Sequence, residues 1–238
     1  MNIEKCKVVT YTRKVIYPRF AYRINNIELD RAHSITDLGI IFNEHLTFND
    51  YITFITGKAI KRLGFLMRNC RDFSNINVLK QVYVSLVRPL LEYATIIWSP
   101  STVGGINMIE NVQRRCMKYL HLKAVGTYPP RGYPNNLLLE EFNLWSLETR
   151  RKYLDTLFVV NLTNGRIDNA CLLGKINFRI PRIISRNNNI FYPANSRKYV
   201  KYDSPIDRMC RGVNIISLEI DLVSVTKEEL RRLYLKWW

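Results

Sequence analysis

The chain has few of the residue patterns that mark a catalytic or metal site. Its 238 residues contain only three histidines, which stand far apart at positions 33, 45 and 121. It has no Cys-x-x-Cys pair, no adjacent aspartates, and no glycine pattern of a nucleophile elbow, a P-loop or a dinucleotide-binding fold. Two-metal phosphoryl transfer needs carboxylates that converge on ions about 4 Å apart. The sequence therefore predicts no metal site, no cofactor and no catalytic cluster in this chain.

Long apolar runs and paired cysteines are missing as well. The most apolar stretch, residues 82–98, contains two charged residues and a proline, so it predicts a buried helix and not a membrane span. Glu4, Lys5 and Lys7 stand where the apolar part of a signal peptide would be. The five cysteines are odd in number and widely separated, which is typical of reduced thiols. We expect an intracellular protein, nuclear or cytoplasmic, without a membrane partner; nothing indicates its oligomeric state.

Acidic residues are outnumbered along the whole chain. Residues 1–118 hold 17 basic and 9 acidic residues, and residues 119–238 hold 19 and 11, so each half carries +8 of the net charge of +16. This even excess favours a polyanionic partner, RNA or DNA, while a basic protein without such a partner is the alternative. With 47% hydrophobic and 12% aromatic residues, the chain can still bury a substantial core.

The first 45 residues predict a small antiparallel sheet. Segments rich in β-formers cover residues 6–12, 20–24 and 35–42, and we expect the last of these to be one strand that halts at Asn43. Asn25 and Asn26 lie between two isoleucines and predict a two-residue hairpin turn, because asparagine tolerates positive φ.

A long amphipathic helix is predicted to follow. Thr47 to Asp50 fit a capping box with Asp50 in the carboxylate position. Apolar residues then recur at steps of three and four, as on one face of a helix. They are Phe48, Ile52, Ile55, Ala59, Leu63, Leu66 and Cys70.

The opposite face of this helix is predicted to be cationic. It carries Lys58, Lys61, Arg62, Phe65 and Arg68, and no acidic residue occurs in residues 51–71. Cations interleaved with an aromatic ring favour a surface that contacts phosphates. A solvated charged face is the alternative.

Four further helices are predicted, of which one lies near residues 137–163. Another is capped by Ser74 and kinked near Arg88 by Pro89, and the next covers residues 106–122. The last starts at Thr226 with Glu229 as its capping partner. The helix capped by Ser74 is predicted to bury Leu79, Val82, Leu86, Leu90, Tyr93 and Ile97. The helix of residues 106–122 is predicted to bury Val112, Cys116 and Tyr119.

Three prolines and two glycines in residues 126–134 predict a domain boundary. One helix is predicted near residues 137–163, and an irregular basic segment follows, since residues 169–202 contain seven basic residues and no acidic one. Four basic residues of this segment are further candidates for nucleic-acid contacts: Lys175, Arg179, Arg182 and Arg186. The predicted fold is α+β and mostly α, a small N-terminal sheet followed by a helical bundle and a second, partly irregular helical region.

Several segments carry a family resemblance in their order along the chain. They read NIEKCKVVTYTRK, INNIEL, DLGIIFNEHLTFNDYI, KAIKRLGFLMRNCRDF, LVRPLLEYATIIWSP and IENVQRRCMKYL, with weaker likeness in NGRIDNACLLGKINFRIP and DRMCRGVN. This set resembles the C-terminal part of the reverse transcriptase of jockey-like non-LTR retrotransposons. The likeness is strongest over residues 1–122.

The resemblance implies a domain order and candidate site residues. Residues 1–46 would be the end of the palm, 47–125 a helical thumb, 126–136 a Pro/Gly linker and 137–238 a basic helical region. Leu38, Gly39 and Ile40 match the primer grip, where glycine would let the primer approach the backbone. Lys5 matches the lysine proposed to protonate the pyrophosphate leaving group.

The resemblance also implies what this chain does not contain. The paired catalytic aspartates of the family would precede Met1, so we expect a polymerase fragment that holds primer–template RNA and DNA and is inactive alone. Mg²⁺ is expected only in a complete polymerase. A non-enzymatic basic helical module that binds RNA, DNA or a protein partner is the alternative.

Overall fold

A computed structural model describes residues 3, 6–12, 14, 16–18, 20–180, 189–193, 204–217, 219–222 and 224–237. The chain is mostly helical with a few short strands near its N-terminus, which confirms the predicted α+β class. The strands are β1 (Lys7–Val8), β2 (Arg23–Ile24), β3 (Ile27–Glu28), β4 (Asp30–Arg31), β5 (Ser34–Asp37) and β6 (Ile40–Asn43). The first five helices are α1 (Asn49–Asn69), α2 (Ile76–Leu86), α3 (Arg88–Glu92), α4 (Thr95–Trp98) and α5 (Val103–Val125). The others are α6 (Asn135–Glu141), α7 (Leu147–Thr163), α8 (Ala170–Leu173), α9 (Pro205–Ile216) and α10 (Lys227–Trp237).

The strands form three separate pairs among the described residues, and the expectation of one antiparallel sheet is wrong. β2 pairs with β3 and β5 with β6 in antiparallel register, while β1 runs parallel to β4. Two-residue strands such as β1 offer too little edge to build a wider sheet. The predicted turn is confirmed: Asn25 and Asn26 both have positive φ and connect β2 to β3.

A second hairpin replaces the predicted continuous strand over residues 35–42. Asp37 pairs with Ile40, so Leu38 and Gly39 form the turn between β5 and β6. Their φ angles are 45° and 83°, and positive φ at both central residues is the geometry of a type I′ turn. Glycine allows this geometry at little cost, whereas apolar side chains on both sides of the turn imitate a single strand.

The buried face of α1 is confirmed, but its predicted cap is wrong. Ile52, Ile55, Ala59, Leu63 and Leu66 are all buried. The helix begins one residue later than a Thr47 cap would place it, with Phe48 as N-cap at a φ of 56° and no side-chain cap.

Asn43 explains why Thr47 does not cap α1. Its amide oxygen accepts from the Thr47 N–H at 2.9 Å, and its amide nitrogen donates to Thr47 Oγ1 at 2.7 Å. The threonine hydroxyl therefore has another partner. The Phe48 ring packs on Phe42 with centroids 5.7 Å apart, which fixes the chain as it enters the helix.

The helical stretch after α1 is broken where proline predicts it. α2 ends at Leu86, and α3 begins at Arg88 with Pro89 in its first turn. The N-cap of α2 is Asn75 and not Ser74, because the Asn75 side chain accepts from the N–H groups of residues 77 and 78. Of the six residues predicted to be buried, Leu79 is buried, Val82 and Leu90 are half-buried, and the other three are exposed. The buried residues are Leu79, Tyr83, Val87, Leu91, Thr95 and Trp98, whereas Leu86, Tyr93 and Ile97 are exposed.

Two hydrophobic clusters hold the helices together. The first joins α1, α2, α5 and α6, and the second joins α7, α9 and α10. The proline- and glycine-rich segment does not separate them, because Leu138 and Phe142, which follow it, lie in the first cluster. The clusters meet at α7, where Leu147 belongs to the first and Tyr153 to the second. The domain division itself stays a prediction.

Of the remaining helix predictions, two are confirmed and one is wrong. α5 buries Val112, Cys116 and Tyr119 as expected. The single helix predicted near residues 137–163 is wrong: a turn with positive φ at Asn143 separates α6 from α7, and Ser146 caps α7. The capping box of α10 is confirmed by reciprocal bonds. Glu229 Oε2 accepts from the Thr226 N–H at 2.9 Å, and Thr226 Oγ1 accepts from the Glu229 N–H at 3.2 Å.

Candidate nucleic-acid interface

One line of side chains runs along the outward side of α1. It consists of Phe54, Lys58, Lys61, Phe65 and Arg68, at steps of four, three, four and three residues. Residues at these spacings lie above one another on a helix surface. All five side chains are exposed, and we call this line the α1 stripe.

Arg62, also predicted for the cationic face, lies beside the α1 stripe. It is exposed, and its guanidinium lies 3.5 Å from the Leu86 carbonyl oxygen of α2. The predicted cationic face of α1 therefore exists as one exposed surface.

The charges of this surface are not compensated within the described residues. None of the four basic side chains, Lys58, Lys61, Arg62 and Arg68, forms an ion pair with a described carboxylate. The helix carries its only acidic residue, Asp50, in its first turn. Adjacent cations without counter-charges raise the local positive potential and favour binding of a polyanion.

Two exposed phenylalanines interrupt these cations. Phe54 is 43% and Phe65 58% exposed, and neither ring packs on another aromatic ring among the described residues. Lys58 Nζ lies 4.3 Å from the Phe54 ring centroid, a cation–π distance. Phe54 was missed by the sequence prediction, although its spacing of four residues from Lys58 would have placed it on the same line.

Two of the three predicted primer-grip residues, Leu38 and Gly39, form the hairpin turn, and the third, Ile40, begins strand β6. Leu38 is 82% exposed, whereas Ile40 is buried in the first cluster together with Ile52 of α1. The Tyr93 hydroxyl donates to the Leu38 carbonyl oxygen at 3.0 Å, so the turn is held by the end of α3. Gly39 is needed for its positive φ, and a Cβ there would meet nothing within 4 Å.

The other predicted site residues do not join the α1 stripe. Lys175 is exposed and Arg179 half-buried, in a segment fixed to the second cluster through Ile176 and the bridge between Phe178 and Phe191. The α1 helix packs in the first cluster. Three predicted residues lie outside the described part of the chain: Lys5, Arg182 and Arg186.

A second group of charges, buried or half-buried, lies where the two clusters meet. Arg208 Nε donates to Asp155 at 2.9 Å, and Arg208 also donates to the carbonyl oxygens of Thr95 and Ile96. Glu92 accepts from Arg150 and lies 3.6 Å from Arg88. We call this group the α7 charge network. Its members are Arg88, Glu92, Glu110, Glu148, Arg150, Arg151, Asp155 and Arg208.

Burial perturbs the titration of this network. It raises the pKa of Asp155 and of Glu110, and it lowers the pKa of Arg88 and of Arg151. Arg151 nevertheless interacts with the negative charges of Glu110, Glu148, Asp155 and Glu92, in that order of strength. Four arginines thus lie near four carboxylates, and Lys152, 2.9 Å from Glu148, adds a fifth cation. Both terminal nitrogens of the Arg151 guanidinium are buried without a hydrogen-bond partner among the described residues.

No group of three or more His, Cys, Asp or Glu side chains among the described residues could hold a metal ion. In the same part of the chain, no helix is long and apolar enough to cross a membrane. Comparisons with protein-family models, with curated proteins and with solved structures gave no match to this chain.

Proposed function

We propose that this chain binds nucleic acid through the α1 stripe and Arg62, as the thumb-like part of a polymerase of the kind that its sequence resembles. It holds primer–template RNA and DNA without polymerising nucleotides by itself. The observation that carries the proposal is a set of four exposed cations on one helix, none of them in an ion pair with a described carboxylate, in a helix that contains no acid after its first turn.

The dimensions of the stripe suit several phosphates. At about 1.5 Å per residue, the ten steps from Lys58 to Arg68 span roughly 15 Å. Phosphates along one strand of a duplex are about 3.4 Å apart on the helix axis, so the stripe covers several of them. Each neutralised phosphate releases counterions, and affinity then falls as salt rises.

The test is the slope of log affinity against log salt. A variant with Lys58, Lys61, Arg62 and Arg68 all changed to Gln should show a shallower slope than the unchanged chain. Each lost contact removes about 0.7 from the slope on a single strand and about 0.9 on duplex DNA, so four contacts remove roughly 3. Fluorescence anisotropy with labelled oligonucleotides at several salt concentrations gives both slopes.

A matched control is available on the last helix. Lys227, Arg231, Arg232 and Lys236 are four exposed basic residues on α10, and changing them to Gln removes the same total charge. We expect this control to change the slope much less. If the two quadruple variants behave alike, binding follows net charge alone, and the proposal fails.

A further inference from the structure

Two glycines lie in the interior of α1. Gly57 and Gly64 are seven residues apart in a helix of 21 residues. Glycine destabilises a helix interior relative to alanine, because it loses more backbone entropy on folding. A helix that keeps two glycines therefore needs a reason for each of them.

The described packing supplies no such reason. A Cβ on Gly57 would meet no heavy atom within 4 Å. A Cβ on Gly64 would meet only the end of the flexible Arg68 side chain, at 3.4 Å. Neither residue has a positive φ, so alanine would fit both positions without strain.

Both glycines border the α1 stripe. Gly57 follows Phe54 by three residues and Gly64 follows Lys61 by three, so each lies beside stripe residues on the helix surface. The missing side chains leave the helix backbone open next to the two exposed rings. A ligand that lies on the stripe can therefore approach the backbone closely at two points.

We infer that the α1 stripe holds a single strand of nucleic acid, with unpaired bases stacked on Phe54 and Phe65 and the strand seated against α1 at Gly57 and Gly64. This inference rests on the proposed function and specifies the part of the primer–template that the stripe binds, which is an unpaired strand and not the paired region. Bases inside a duplex already stack on one another, whereas unpaired bases offer their faces to aromatic side chains. The cations between the two rings contact the phosphates of the same strand.

The glycines give a test in which stability and affinity change in opposite directions. Gly57→Ala and Gly64→Ala should each raise the melting temperature and lower the affinity for a labelled 20-nucleotide oligothymidylate. Gly104→Ala on α5 is the control, because a Cβ there also meets nothing within 4 Å. It should leave the affinity unchanged. If the two α1 variants bind as tightly as the unchanged chain, no strand lies against these glycines.

The rings give a second, independent test. Phe54→Leu and Phe65→Leu should each weaken oligothymidylate binding about tenfold, equivalent to about 1.4 kcal/mol, because base stacking is lost. The salt slope should stay the same, since no charge is removed. Phe20→Leu changes another exposed phenylalanine and should have no effect.

Duplex binding separates this inference from the proposed function. At equal salt, a 20-base-pair duplex should bind more weakly than the single strand, and neither ring variant should change duplex affinity. Equal or tighter duplex binding, or ring variants without effect on the single strand, would overturn the inference. A shallower salt slope in the quadruple Gln variant would then still support the proposed phosphate contacts, whereas an unchanged slope would remove both.

Discussion

The α1 stripe and the α7 charge network use the same residue type in opposite ways. In the network, arginines lie where the two hydrophobic clusters meet, and four carboxylates balance them. In the stripe, cations point outward from a helix whose only acid is in its first turn. A buried charge is tolerated only when it is paired, whereas an exposed charge can remain unpaired and available. The stripe cations therefore have no described carboxylate partner to give up when they meet a ligand, unlike Arg150 and Arg208 of the network.

The two regions also predict different consequences of mutation. Substitutions in the network should change the stability of the fold, and substitutions in the stripe should change binding. The hydrophobic face of α1 lies on the side of the helix opposite the stripe, and substitutions there should also change stability. The following substitutions test this division.

The largest effect is expected behind the stripe. Leu63 is 2% exposed, and Leu63→Asp buries an unpaired charge there, which should destabilise the chain by about 4 kcal/mol or more. Lys61→Asp on the same helix should change stability by about 0.5 kcal/mol or less, because Lys61 is exposed. Urea denaturation measures both. Equal stability of the two variants would mean that the faces of α1 are wrongly assigned.

A smaller loss is expected in the network. Asp155→Ala leaves the guanidinium of Arg208 without its carboxylate and should destabilise the chain by about 3 kcal/mol. Asp168→Ala, at an exposed aspartate, is the control and should have almost no effect. Neither change should alter nucleic-acid affinity at a temperature where both variants are folded. If Asp155→Ala were as stable as the unchanged chain, the ion pair between Asp155 and Arg208 would contribute nothing to the stability of the fold.

The sequence predicted one of these regions and not the other, for a physical reason. The α1 surface is local, because the period of 3.6 residues places its members on one helix and the pattern alone separates the faces. Arg208 and Asp155 are 53 residues apart, and only the packing of α7 against α9 brings them together. No periodicity along the chain contains that information.

Local features were predicted less evenly. The Asn25–Asn26 turn was recognised from its residues, whereas the turn at Leu38 was missed because leucine is rare at positive φ. The buried face of the helical stretch after α1 was assigned to partly wrong residues, because its apolar sequence fits more than one set of three- and four-residue steps. The sequence alone does not show whether packing requires the two glycines of α1. The structure shows that it does not, because a Cβ would meet nothing at Gly57 and only the end of the Arg68 side chain at Gly64.

Photochemical cross-linking tests the central claim most directly, because it locates the bound strand along the chain. Oligothymidylate is cross-linked by ultraviolet light, the complex is digested with trypsin, and the modified peptides are identified by mass spectrometry. We predict modification of the peptide of residues 63–68, which contains Phe65, and loss of that signal in Phe65→Leu. Cross-links concentrated in α10, or a signal in residues 63–68 that Phe65→Leu leaves unchanged, would contradict the account.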